Sequence, residues 1–206
     1  MKLADLNIRA FVLTVQEFPE RTEEIQAHFR DFGVEAENFN CISAADSGLR
    51  TDHLYEIDNP GSGWKIPPKH VANWVSQYML WSAMLYMPET HFLQLEWDSM
   101  FAPDWRQRTE EALSNTPKDF DVLFIGSCCT MDKPMTKIAG QVWDVRYPMC
   151  SHGLIIAKKA LPVFLRTQRK IYSNMDIATK DHTFHHLKVF TVLPAIVTQK
   201  NTELVP

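Results

Sequence analysis

Glu96 and Asp98 are the residues of this chain whose type and spacing most directly suggest chemistry. They close the segment His91-Phe92-Leu93-Gln94-Leu95-Glu96-Trp97-Asp98, an apolar run that reads as a buried strand ending in two acids one residue apart. Along a strand, residues i and i+2 point to the same side. The two carboxylates are therefore expected to converge at the carboxyl end of a strand, where open α/β sheets bind their ligands. Two hard oxygen donors at such a point suit Mn2+ or Mg2+ carrying a diphosphate. Two acids at a strand end are also what a solvated loop looks like, so the surrounding elements carry the decision.

Those elements alternate. Ile8 to Val15 (IRAFVLTV) is rich in apolar and β-branched residues and reads as a first buried strand. Pro19 follows at a plausible first helical turn. Ile25, His28, Phe29 and Phe32 then fall at helical spacing, with Gly33 where a C-terminal stop belongs. Phe39 to Ala44 reads as a second strand, giving a β-α-β opening that predicts a parallel sheet. Ala45 to Pro68 is a long Gly/Pro-rich loop whose Trp64 and Lys65 could contact a ligand. His70 to Met87 is a helix with little polar face, expected to be buried. After the Glu96/Asp98 strand come a helix over Pro103–Asn115, a strand over Asp121–Gly126, an irregular loop over Lys133–Pro148, a strand over Ser151–Ala157, a short helix over Lys158–Thr167 and a last strand over Lys188–Leu193. Nothing marks a linker, so residues 1–206 are expected to form a single α/β domain with a mostly parallel central sheet flanked by helices.

Composition narrows the class. The chain has 206 residues, 45% of them hydrophobic and 22% charged, the profile of an ordinary globular protein able to bury a core without staples. A formal net charge of −4 argues against non-specific nucleic-acid or anionic-membrane binding. A basic run at Lys158, Lys159, Arg166, Arg169 and Lys170 reads as a solvated helix face, and leaves a nucleic-acid acceptor open. The four cysteines, Cys41, Cys128, Cys129 and Cys150, lack the C-x-x-C spacing of a zinc site and read as reduced, packed thiols. The N-terminus lacks a signal-peptide core, and no apolar stretch approaches the ~18 residues of a membrane span. A soluble, cytoplasmic protein is the expectation.

Taken in order, the motifs resemble those of the family 25 glycosyltransferases, which include lipooligosaccharide and collagen-modifying galactosyltransferases. The resemblance runs from about Phe11 to Gln199. FVLTVQEFPERTEEI is similar to the family's first strand, polar turn and helix-starting arginine, here Arg21. Phe39 to Asp46 (FNCISAAD) looks like its second strand. Val75-Ser76-Gln77-Tyr78-Met79-Leu80-Trp81 resembles its S-H-x-x-x-W helix, with Gln77 in place of histidine. Leu95-Glu96-Trp97-Asp98 resembles its L-E-D-D, with Trp97 at the middle acid. Phe120 to Gly126 looks like its D-W-D-I-L-Y-L-G strand. Ser151 to Ile156 resembles its T-H-A-Y-x-I, with Leu154 where tyrosine is usual. Met175-Asp176 is similar to the V-D that follows, and Pro194 to Gln199 to the closing P-x-x-V-x-Q.

The resemblance implies a GT-A-like fold and inverting transfer of a sugar from a nucleotide-sugar donor, of the UDP type, to a hydroxyl acceptor. The acceptor could be a glycan, a hydroxylated side chain or a modified nucleobase. It implies Mn2+ or Mg2+ held by Asp98, with Glu96 ligating through water or touching the ribose, and with a late histidine such as His185 completing the shell. Asp176 would be the base that inversion requires, unless it serves only to cap a helix. His152 could face the site or be a buried, hydrogen-bonded histidine. Thr14 and Val15 would flank the nucleotide base, with Ser76 near the donor. Arg21 could pair with phosphate or with glutamates on its own helix. The departures at Gln77 and Trp97 keep an alternative open, a degenerate GT-A-like protein that binds without catalysis. An unrelated metal-dependent nucleotide-binding enzyme such as a phosphotransferase lacks support, because the sequence has no G-x-x-x-x-G-K-[ST] loop and only seven glycines.

Overall fold

The computed structural model describes residues 8–43, 56–57, 67–128, 135–145, 148–171 and 173–200. The chain opens as expected with β1 (Ile8–Val15), α1 (Pro19–Asp31) and β2 (Glu37–Cys41), the last two joined through Gly33 at φ 64°. A two-residue strand β3 (Glu56–Ile57) precedes α2 (Pro68–Leu85) and β4 (His91–Glu96). Then come β5 (Ser99–Phe101), α3 (Trp105–Asn115), β6 (Val122–Cys128), β7 (Met135–Ala139), β8 (Val142–Val145) and β9 (Met149–Ala157). The chain continues through α4 (Leu161–Thr167), β10 (Lys170–Ile171), α5 (Met175–His182), β11 (Val189–Val192) and β12 (Val197–Gln199).

Eight strands form one sheet in the order β2-β1-β4-β9-β6-β11-β8-β7. The pairings β1–β2, β1–β4 and β6–β11 are parallel, and β9 and β8 run against the other six strands. The sheet is thus mostly parallel in strand direction, yet its middle is antiparallel, because β9 inserts between β4 and β6. Hydrophobic pattern fixes which residues are buried and leaves strand direction open, so this insertion is not a property of any one segment.

Each face of the sheet carries its own core. On one side Phe29 of α1, Phe101, Trp105 and Leu113 pack against Leu95, Ile125 and Ile155. On the other, Trp74, Leu80, Trp81 and Met84 of α2 pack with Phe92, Phe124, Leu154, Phe164 and Met175. α2 has apolar residues nearly all round and is accordingly buried along nine of its positions, Gln77 among them. Full burial of each large side chain contributes roughly 1.5–3 kcal/mol.

A polar thread crosses the second core. Trp81 Nε1 donates to Gln94 Oε1 at 2.8 Å, Gln94 Nε2 to Gln77 Oε1 at 3.1 Å, and Gln77 Nε2 to Asn73 Oδ1 at 3.1 Å. Replacing Gln94 with leucine strands the Trp81 donor and the Gln77 acceptor, each at a cost of about 1–3 kcal/mol. Urea unfolding should show that loss; an unchanged midpoint would mean the thread is dispensable.

Two expectations need correction. Residues 133–148 are not simply irregular: their described part contains the β7–β8 hairpin, turned at Gly140 with φ 52° and attached to the sheet through β11. Cys128 and Cys150 are not reduced packed thiols. They form a disulfide, because β6 and β9 are antiparallel neighbours that bring their Cα atoms to 5.7 Å. Trp64 and Lys65 lie outside the described residues. No helix among the described residues is long and apolar enough to cross a membrane.

Candidate functional site

The carboxyl end of β4 is built by a tight turn. The Glu96 N–H donates to Ser99 Oγ at 2.9 Å, and that hydroxyl donates to the His152 carbonyl at 2.6 Å. Strand alternation therefore stops at Glu96, and the i, i+2 expectation lapses for Asp98. The two acids take different partners. Glu96 Oε1 accepts from Ser151 Oγ at 2.7 Å, and the same hydroxyl lies 3.3 Å from Asp176 Oδ1. Asp98 Oδ2 accepts from Gln199 Nε2 at 3.2 Å, while its backbone carbonyl accepts from the Lys200 N–H at 2.8 Å. Asp98 Oδ1 is buried and has no hydrogen-bond partner among the described residues.

Asp176 reaches this point from α5. The helix is capped by Asn174, whose side chain accepts from the Ile177 N–H at 3.0 Å. The cap is thus Asn174, and Asp176, in the first turn, is turned towards Ser151 and Glu96. Eighty residues of sequence separate the two carboxylates, and one hydroxyl joins them.

Their surroundings favour the protonated forms. Burial pushes the Glu96 carboxyl up to about 7, with the nearby charges of Asp176 and Asp98 adding to the rise and the Ser151 hydrogen bond opposing it. Burial also raises Asp98 and Asp176 above the usual carboxylate range, against the Gln199 hydrogen bond in the first case and Ser151 in the second. His152 is shifted the other way, down to about 4 by burial.

These shifts act on stability in opposite senses. Glu96, raised from 4.5, contributes stability that is full below pH 4.5 and lost as pH rises through about 7. His152, lowered from 6.5, contributes stability that is full above pH 6.5 and lost as pH falls towards about 4. In the metal-free protein the two oppose each other between pH 4.5 and 6.5, each by at most about 1.4 kcal/mol per pH unit. Glu96→Gln removes the falling contribution, so the melting temperature should climb with pH more steeply than in wild type. Equal slopes in a chelator-treated pH series would contradict this assignment.

The remaining candidates are dispersed. Arg21 is exposed, its guanidinium stacked between the rings of Phe18 at 4.4 Å and Trp97 at 4.6 Å. It lines a cleft of about 260 Å3 together with Glu24, His28, Trp97, Asp98 and Lys200. Trp97 is therefore a wall of the cleft that Asp98 borders. Thr14 is buried, its hydroxyl donating to Asn40 Oδ1 at 3.2 Å, and Val15 ends β1 opposite Cys41. The Ser76 hydroxyl is fully engaged inside the fold, accepting from the Ile42 N–H at 2.9 Å and donating to the Ala72 carbonyl at 2.6 Å.

His152 is buried, with Nε2 bonded to the Val197 carbonyl at 3.1 Å, on the opposite side of the sheet from Asp176. His185 is exposed on a short 3-10 turn, residues 184–186, after α5. Among the described residues no group of three or more His, Cys, Asp or Glu side chains is arranged to hold a metal ion. Glu96, Asp98 and His185 are thus not gathered into one shell.

Ser151 is the residue that sequence reasoning passed over. Strict alternation from Leu154, which faces α2, would put His152 on the α2 face and Ser151 on the other. The structure reverses them. The β6–β9 register shifts on both sides of the Gly126–Gly153 pair, and Cys150, just before Ser151, has φ 66°. Such an irregularity re-aims side chains beside functional sites. It also depends on close packing: a Cβ at Gly126 would sit 2.8 Å from the Val197 carbonyl and 2.5 Å from the His152 ring. The one sequence signal was a glycine in each of two adjacent strands.

No family model matches the chain. A glycosyltransferase 25 family member of Drosophila melanogaster is 27% identical over 128 residues, covering 57% of this chain and 21% of that protein. The chain spans about a fifth of the length of this curated relative. A glycosyltransferase involved in glycosylating the major capsid of PBCV-1 superposes with a TM-score of 0.50 at 11% identity, covering 95% of both chains. The galactosyltransferase LgtC, solved with donor and acceptor sugar analogues, gives a TM-score of 0.44 at 11% identity over 94% of this chain and 87% of that one. Part of the chain is thus similar in sequence to a glycosyltransferase 25 family member, and the described residues have a GT-A-like α/β fold.

Proposed function

We propose that this chain is a metal-assisted, inverting glycosyltransferase that moves a sugar from a nucleotide-sugar donor, of the UDP type, to a hydroxyl acceptor. The observation that carries the reading is the meeting of Glu96 and Asp176 at Ser151, at the carboxyl end of β4. The similarity to a glycosyltransferase 25 family member supplies the reaction class.

The residues present fit a divalent ion. Asp98 offers a buried carboxylate oxygen with no partner among the described residues, and Glu96 a second hard donor near by. Mn2+ and Mg2+ can be held by one or two carboxylates, because they keep water and take phosphate oxygens. Asp98 would hold the ion, with Glu96 acting through water or on the ribose. When bound, the ion neutralises charge on the diphosphate.

Asp176 accepts the proton of the acceptor hydroxyl as that oxygen bonds to the anomeric carbon and the nucleoside diphosphate departs. Its burial makes it a stronger base than an exposed aspartate. Arg21, held beside the cleft by two rings, places a positive charge on the donor side. The acceptor is a glycan, a hydroxylated side chain or a modified nucleobase.

Thermal unfolding with a panel of nucleotide sugars, with and without Mn2+, tests the reading. A shift that needs both Mn2+ and one donor supports it and names the donor. No shift with any donor, from folded protein, sinks it in favour of a GT-A-like protein that has lost the chemistry.

A further inference from the structure

We infer that Ser151 is a positioning residue, whose single hydroxyl holds Glu96 and Asp176 to one point and so sets the donor-side carboxylate relative to the base. The inference rests on the function proposed above for those two acids, although the placement itself does not.

Among the described residues, Ser151 is the hydrogen-bond donor to both carboxylates, at 2.7 Å and 3.3 Å. A hydroxyl has one proton and two lone pairs. Its one proton is shared between the two acceptors, with Glu96 the nearer. Both acids therefore share one short polar anchor, and Ser151 and Asp176 line a small, largely apolar cavity with Gln77, Trp81, Phe124, Leu154 and Met175. Without that hydroxyl, no hydrogen bond among the described residues joins the two carboxyl groups, and they are free to separate.

The anchor is itself held firmly. Cys150, its neighbour, is tied to Cys128 by the disulfide and sits in the left-handed region. On the other side, the Ser99 hydroxyl binds the His152 carbonyl while accepting from the Glu96 N–H. The Ser99 hydroxyl and the disulfide thus hold the chain flanking Ser151 to the end of β4 on one side and to β6 on the other. Chemistry of this kind is sensitive to placement: an error of 1 Å costs about a hundredfold.

Ser151→Ala and Ser151→Thr test the assignment, each first shown to keep the wild-type circular dichroism. The activity-independent arm follows the side-chain carboxyl 13C resonance of Glu96. With Ser151 present, Asp176→Asn should displace that resonance. In a Ser151→Ala background the displacement should largely vanish, and Ser151→Thr should restore it. Equal displacement in all three backgrounds overturns the inference.

The second arm measures nucleoside diphosphate release from a UDP-sugar panel with Mn2+. Ser151→Ala should lower kcat by about ten- to a hundredfold with little change in KM for the donor, and Ser151→Thr should recover most of it. Wild-type kcat in the alanine variant overturns the inference. Wild-type protein that releases nothing from any donor overturns the transferase reading instead, and the resonance arm still decides the role of Ser151.

Discussion

Asp176→Asn should lower kcat by about 10^2- to 10^4-fold while leaving KM for the donor nearly unchanged. Asparagine keeps the size of the side chain and an oxygen that can accept from Ser151, so the substitution removes basicity and little else. A residue that only bound the donor would raise KM instead. The wild-type pH profile carries a second signature. A base must be deprotonated to act, so kcat falls as pH drops through the pKa of the group. Burial has raised Asp176, which moves that acid limb above the range of an exposed aspartate. Glu96 shares the Ser151 anchor, and the limb therefore reports the pair. Wild-type kcat in Asp176→Asn would send the search for the base to another group.

Asp98→Ala should abolish the Mn2+-dependent response to donor altogether. A donor present at a hundred times its Kd stabilises the folded protein by about 2.7 kcal/mol. For a chain of this length that corresponds to a rise of roughly 5–10 °C in melting temperature. Chelation of the wild type should give the same loss. The metal-free variant should also be no less stable than the wild type, and Asp98→Asn more clearly so. Asp98 has a buried oxygen with no partner among the described residues and a raised pKa, so its carboxylate is a burden in the ligand-free fold. Loss of response coupled to retained or increased stability separates a ligand site from a structural acid. A variant that still responds to Mn2+ and donor would show that Asp98 does not hold the ion.

Much of the fold could be read along the chain, and the site only in fragments. Ile8–Val15 and His91–Glu96 announced themselves as strands because both are buried on two faces and need no alternation. The apolar circumference of α2 gave its burial directly. The β7–β8 hairpin was hidden because β7 is exposed at Thr136, Lys137 and Ile138, and β8 is only four residues long with Val142 and Val145 buried at its ends. Glu96 and Asp176 were visible as candidates by type and by order. Their junction was not, since it depends on β9 lying antiparallel beside β4 and on an irregularity that exchanges the faces of Ser151 and His152. The hydroxyls of Thr14 and Ser76 illustrate the opposite limit. Both stand where a ligand contact was expected, and both are occupied by β2 and the chain just after it.

The Cys128–Cys150 bridge makes a covalent ring of the intervening chain, with a sequence separation of 22. Closing a ring of that size removes conformations from the unfolded chain worth about 3 kcal/mol in an entropic model. The ring contains the whole β7–β8 hairpin, which joins the sheet at its edge. A break in the chain anywhere inside it would therefore not release a fragment: the two pieces would stay joined through sulfur and would part only on reduction.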